Sequence, residues 1–241
     1  MKKIFSLCLL GVFLFGLVVS PGFGQKASDI LEKMIEASGG RKLLTSIKDT
    51  TMTGTLEIAM AGMSGSLTMY QKEPNMIRID MEIMGMVFTQ AYDGEIAWGT
   101  NPQTGAVEEM PADQAENILR QAYGNDILLN PDKHGVTYTL KESENIEGKD
   151  YYVLEQSFPD GYTLTMYIDS KSYLPYKTVS IENQMGVEAE AETFLSDWRK
   201  VEGQMVPFSM NIFSDGEEAV VMTFTEVKFN TGLEDSFFKM E

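Results

Sequence analysis

Between Met52 and Ile83 apolar and polar residues alternate with few errors, and a period of two restricts the segment to strands with one dry and one wet face. Met52, Leu56, Ile58 and Met60 interleave with Thr51, Thr53, Thr55 and Glu57. Leu67 and Met69 alternate with Ser66, Thr68 and Tyr70, and Ile77, Ile79, Met81 and Ile83 with Arg78, Asp80 and Glu82. Short turns between the three runs predict an antiparallel sheet. Its dry face must meet the chain's own core or an apolar ligand.

The rest of the chain extends this pattern. Ser28 or Asp29 can cap a first helix whose apolar stripe is Ile30, Leu31, Met34 and Ile35, and Gly39-Gly40 ends it. A short helical turn follows over residues 42–47. Asp93-Gly94 is a hairpin turn leading to Ile96-Ala97-Trp98, and Asn101-Pro102-Gln103-Thr104-Gly105 is another turn. Pro111 opens a helix over residues 112–123, with Ala115, Ile118, Leu119 and Ala122 on one stripe, before the apolar patch Ile127-Leu128-Leu129. Strands resume near Val136 and run to Phe229. The expected total is ten or eleven, too many for a flat sheet, so it should curl into a barrel or part of one. No linker composition interrupts residues 25–241, which predicts one domain.

The first 24 residues read as a secretion signal: Lys2 and Lys3, an uncharged apolar run over residues 4–19, then small residues before a cut after Gly24. The alternative is an uncleaved anchor, for which the run is slightly short. The expected compartment is the periplasm of a Gram-negative bacterium, or the outside medium. Cys8, the one cysteine, would leave with the signal, which excludes disulfide, thiol and thiolate-metal chemistry from the rest. The formal net charge of −17 disfavours nucleic acid and anionic membrane surfaces as partners.

Catalytic groups are scarce. His134 is the one histidine and sits in the loop Pro131-Asp132-Lys133-His134-Gly135, where a solvated side chain is expected. No nucleophile elbow or phosphate loop appears, so the chain reads as a non-enzyme with no cofactor. Glu188, Glu190 and Glu192 share one strand face, and a solvated outer face explains them better than calcium. Methionine, 17 in all, leaves three readings open. Met60, Met63, Met81, Met84 and Met86 could gather thioethers for Cu(I), fill an ordinary core, or line an adaptable ligand surface. Flexible thioethers accommodate variable apolar shapes, which favours the lining.

Several stretches taken in order carry a resemblance. They are Glu36-Ala37-Ser38-Gly39-Gly40, Tyr92-Asp93-Gly94-Glu95-Ile96-Ala97-Trp98, Tyr167-Ile168-Asp169 and Leu174-Pro175-Tyr176-Lys177. Further on come Asp197-Trp198-Arg199-Lys200-Val201-Glu202-Gly203-Gln204-Met205-Val206-Pro207 and Leu233-Glu234-Asp235-Ser236-Phe237-Phe238. Together they resemble the outer-membrane lipoprotein-sorting proteins of the LolA/LolB-like superfamily, over nearly the whole chain after the signal. The resemblance implies a mainly β (α+β) fold: a strongly curved antiparallel sheet forming an incomplete β-barrel, with an N-terminal helix and a helical lid over its mouth. It implies a carrier that holds acyl chains of lipoproteins or other lipids in an apolar hollow. The hollow would be lined by Leu56, Ile58, Met60, Leu67, Met69, Ile77, Ile79, Met81, Ile83 and Phe88, with Trp98 near it. The lid, residues 112–129, would contribute Ile118, Leu119 and Leu128. A monomer is expected, with an inner- or outer-membrane protein as a further partner. In the lipoprotein carrier an early arginine latches the lid; here no basic residue lies between Lys48 and Lys72. An envelope interaction or lipid-stress-sensing module with a self-filled core is the alternative function.

Overall fold

The computed structural model describes residues 26–184 and 187–240, so the expected signal segment lies outside the described residues. The chain opens with helices α1 (Ala27–Ala37) and α2 (Arg41–Ser46). An outgoing series of strands follows: β1 (Asp49–Ile58), β2 (Met63–Lys72), β3 (Met76–Ile83), β4 (Met86–Tyr92), β5 (Ala97–Thr100) and β6 (Val107–Glu109). Helices α3 (Ala112–Ala122) and α4 (Asp126–Leu129) come next. A returning series closes the chain: β7 (Thr137–Leu140), β8 (Glu144–Ile146), β9 (Lys149–Ser157), β10 (Thr163–Asp169), β11 (Pro175–Gln184), β12 (Val187–Val201), β13 (Gln204–Ser214) and β14 (Glu217–Phe229).

All the strands belong to one antiparallel sheet, in the order β6-β5-β4-β3-β2-β1-β14-β13-β12-β11-β10-β9-β7, with β8 paired to β9. First and last strands therefore meet in the middle of the sheet, where β1 pairs with β14 over residues 50–58. The outgoing series ends at one edge and the returning series begins at the other. The sheet is open, as predicted, and residues 110–136 must cross from edge to edge.

Fourteen strands replace the expected ten or eleven. The surplus is in short pieces: β6 (Val-Glu-Glu) and β8 (Glu-Asn-Ile) have three residues each, too few to display alternation. Register breaks between Thr53 and Gly54, between Tyr167 and Ile168, and between Ile212 and Phe213 supply curvature, because an extra residue bends its strand. Glycine is needed at the first break: a Cβ on Gly54 would stand 2.1 Å from the Thr223 carbonyl oxygen.

The inner face, against which the helices pack, follows from the register. Leu67 of β2 stands opposite Met81 of β3, which stands opposite Phe88 of β4. Leu56 faces Met222, Met222 faces Met210, and Met210 faces Leu195. Helix α1 buries Ile30 and Met34 against Leu154, Met166 and Ile168, while Leu31 and Ile35 meet Leu44 of α2. The helix starts at Ala27, earlier than the capping signal indicated; Asp29 acts from inside the first turn, accepting the Lys26 N–H at 3.1 Å.

Two placements correct the sequence reading. Strand β1 stops at Ile58, and Ala59–Ala61 form a tight helical turn closed by Gly62 at φ 61°. Met60 therefore leaves the alternating face and is 74% exposed. Trp98 lies on the outer face, because β5 pairs Ala97 with Tyr92 and Trp98 with Ala91. There it is buried under the C-terminal segment, its Nε1–H donating to the Phe238 carbonyl at 2.8 Å. Arg78, on the same face, donates to the Phe237 carbonyl at 3.0 Å.

Candidate functional site

The largest apolar cluster covers the inner face and draws on both halves of the sheet. Leu56, Leu67, Ile77, Ile79 and Ile83 are buried in it, together with Ile118 and Ala122 of α3. Ile58, Met69, Met81 and Phe88 pack around them and remain partly accessible. All of these but Ala122, ten residues, are predicted lining or lid residues, and the fold places them together in one cluster. Leu128 lies elsewhere, against Leu31, Ile35 and Leu44, and Leu119 is half-buried on α3.

The sequence reading missed the other half of the cluster. Val206, Phe208, Phe224, Val227 and Phe229 are buried in it, and Met210 and Met222 are partly buried beside them. The signal was present in the alternation of Val206, Phe208, Met210 and Ile212. Nothing local, however, says that β14, with β13 beyond it, adjoins β1. Where the halves meet, Ile58, Met63, Met81, Leu195, Met210, Ile212, Val220 and Met222 all stay partly accessible. That stretch is apolar surface which the chain's own helices leave incompletely covered.

The crossing segment is tied down at both sides by polar contacts. Gln71 on β2 donates its Nε2–H to the Ala122 carbonyl at 2.6 Å. Glu73 accepts the Asn125 N–H at 2.8 Å. Burial raises the Glu73 pKa, an effect the Asn125 bond only partly offsets. Across the mouth, Arg120 of α3 pairs with Asp160 at 2.7 Å, and its guanidinium lies 3.9 Å from the centre of the Tyr162 ring. Burial lifts the Tyr162 hydroxyl to about 12, with its bond to Glu182 adding to the rise.

Inside the segment Asp126 acts as a staple. Its carboxylate accepts from Lys133 at 2.7 Å and Asn130 at 2.6 Å, and it meets His134 Nε2 at 2.7 Å. Burial pushes this carboxyl up, but the three partners outweigh it and hold it at about 2. His134 is half-buried, its ring tilted 50° to that of Tyr123 with centroids 4.4 Å apart, so it is a packed residue of the crossing segment and not the solvated loop side chain expected. Of the glutamates predicted to face outward, Glu192 pairs with Lys177 at 2.5 Å. Among the described residues no three His, Cys, Asp or Glu side chains converge as a metal site.

Three clefts border the crossing segment. One of about 350 Å³ lies between β5, β6 and the start of α3. A second, about 230 Å³, separates α2 from α4. The third, about 380 Å³, is walled by Glu116, Asn117, Arg120, Asp160, Tyr162 and Glu182. None is bordered by a predicted lining residue.

Comparison with known proteins adds the family. A family described as "-like: Uncharacterized protein" matches residues 78–241. The chain belongs to this family. No curated protein matches it. Solved structures share its shape at low identity. A LolA superfamily protein from Nitrosomonas europaea aligns with TM-score 0.63 and 17% identity, over 90% of this chain and 98% of its own. A DUF1329 family protein from Desulfovibrio piger gives 0.63 and 14%, over 88% and 97%. An outer membrane lipoprotein-sorting protein domain from Vibrio parahaemolyticus gives 0.60 and 16%, again over 88% and 97%. At such identities these likenesses establish the fold: the chain has the LolA-like open sheet.

Proposed function

We propose that this protein is a periplasmic, non-catalytic carrier that holds acyl chains of lipoproteins or other lipids against the inner face of its sheet, beneath the segment 112–134. The observation behind this reading is the row of partly accessible apolar side chains where the two halves meet, Met81 and Phe88 on one side and Leu195, Met210 and Met222 on the other. A guest hydrocarbon would complete that packing. Each buried methylene contributes about 0.8 kcal/mol, so a 16-carbon chain offers roughly 12 kcal/mol before ordering costs. The segment is held by the apolar contacts of Ile118 and Ala122 and by the polar ties of Gln71, Glu73 and Arg120, and release of a guest requires both to open. Fold analogy to the lipoprotein-sorting domain supports the substrate class.

Native mass spectrometry of purified protein, followed by organic extraction, tests this directly. Co-purifying lipid, or micromolar binding of a fluorescent fatty acid, is the expected result; empty protein that ignores the probe rejects the carrier. One observation favours the alternative of an interaction or stress-sensing module: Ile118 and Ala122 already bury themselves in the inner face, at 3% and 0% exposure. In that case lipid is absent and a protein partner is captured instead.

A further inference from the structure

Eleven of the described methionines fall into three environments, and Met110, between β6 and α3, packs against the same apolar cluster as the first of them. Met52, Met63, Met69, Met81, Met210 and Met222 all sit on the inner face, packed against one cluster and partly accessible. Two pairs are direct cross-strand neighbours, Met52 with Met69 and Met210 with Met222. Met60, Met84 and Met86 occupy two hairpin tips and are 74%, 79% and 57% exposed. Met34 and Met166 are buried under α1, at 3% and 6%.

We propose that the six inner-face methionines form an oxidant-sensitive modification site, and that their conversion to sulfoxide expels the bound acyl chain; this rests on the carrier reading above. The co-reactant is a hydroperoxide. A thioether sulfur lone pair attacks one peroxide oxygen, the O–O bond breaks, and proton transfer to the departing oxygen releases water or an alcohol. Sulfur is oxidised by two electrons and the peroxide is reduced by two. A thioether is apolar and polarisable, whereas a sulfoxide is a strong hydrogen-bond acceptor with a large dipole. The cluster around these sulfurs is mostly Leu, Ile, Val, Ala and Phe side chains, and the Tyr92 hydroxyl beside it already donates to the Gly94 carbonyl, so each new S–O group favours water over a hydrocarbon guest. The tip methionines meet oxidant first and carry no lining, so their oxidation leaves the site intact. Met34 and Met166 are shielded by packing.

Increasing hydrogen peroxide applied to the whole protein, with peptide mass mapping, fatty-acid probe affinity and far-UV circular dichroism at each step, tests this. Met60, Met84 and Met86 are expected to convert first with affinity unchanged. The inner-face set follows, and affinity falls at least tenfold while the β signal persists. Bound probe slows the second group and not the first, and Met34 and Met166 stay reduced. In the triple variant M81L/M210L/M222L, measured against its own affinity before peroxide, the oxidant lowers probe affinity by a smaller factor than in the unsubstituted protein; an equal or larger drop overturns the inference. Affinity that survives conversion of the inner face overturns the inference, as does loss that tracks the tips or the collapse of the β signal. Protein that binds no probe before peroxide is added overturns the carrier reading, and this inference with it.

Discussion

Asp49 is 4% exposed at the start of β1 and holds the chain's far end in place. Its carboxylate accepts from the Thr231 N–H and hydroxyl, at 2.6 and 2.8 Å, and from the N–H groups of Gly232 and Leu233. Burial raises its pKa, but these donors together outweigh it and the group titrates below its ordinary 3.8. A depressed folded-state pKa stabilises the protein above the unfolded value, and that increment disappears as pH falls from 3.8 through the folded one. Asp49→Asn should cost about 1–3 kcal/mol in urea unfolding at pH 7 and flatten the acid limb of stability against pH. An unchanged midpoint would show the C-terminal strap to be held by its other contacts, the Arg78 and Trp98 hydrogen bonds among them. No local pattern in the sequence marks Asp49 for this role, since its partners lie some 180 residues away. Trp98 was misplaced for a related reason: in the run Ile96-Ala97-Trp98 parity cannot tell inner from outer, and only pairing with β4 decides.

Elements with many periodic residues were legible, and short polar ones were not. The stripes Ile30, Leu31, Met34, Ile35 and Ala115, Ile118, Ala122 located α1 and α3 because burial repeats every three to four residues. Strands β6 and β8 carry no such repeat. The crossing segment combines the apolar burial of Ile118 and Ala122 with a polar staple whose central acceptor is Asp126. Relative to its ordinary 3.8, a pKa of about 2 is worth about 2 kcal/mol at neutral pH. That contribution is fully present above pH 3.8 and is lost as pH falls toward 2. Asp126→Asn should therefore speed amide exchange in residues 112–134 by tenfold or more at pH 7, leaving β1–β3 amides unchanged. Exchange that rises across the whole sheet would mean that the segment does not open independently. Gln71 adds a further polar tie, its neutral amide reaching the Ala122 carbonyl at 2.6 Å.

At the scale of the whole molecule, the pairing of β1 with β14 makes one continuous inner face from two halves that the chain visits at opposite ends of its length. A charge on that face should act on binding from either half. Met81→Asp and Met222→Asp are each expected to weaken fatty-acid probe binding at least tenfold, while Glu226→Gln on exposed β14 surface leaves it unchanged. Circular dichroism separates lost binding from lost fold. Weakened binding in Met81→Asp with no effect of Met222→Asp would confine any guest to the outgoing half. Local periodicity in the sequence was enough to determine the strands, the helix stripes and the dry face of each, because burial on one side of a strand or helix is written into adjacent residues. The tertiary structure alone decided which dry faces adjoin, that β13 and β14 complete the apolar surface begun by β1–β4, and that Trp98 turns outward beneath Phe238. Those outcomes depend on pairings across more than a hundred residues, where register and closure of the whole sheet choose among partners that look alike locally.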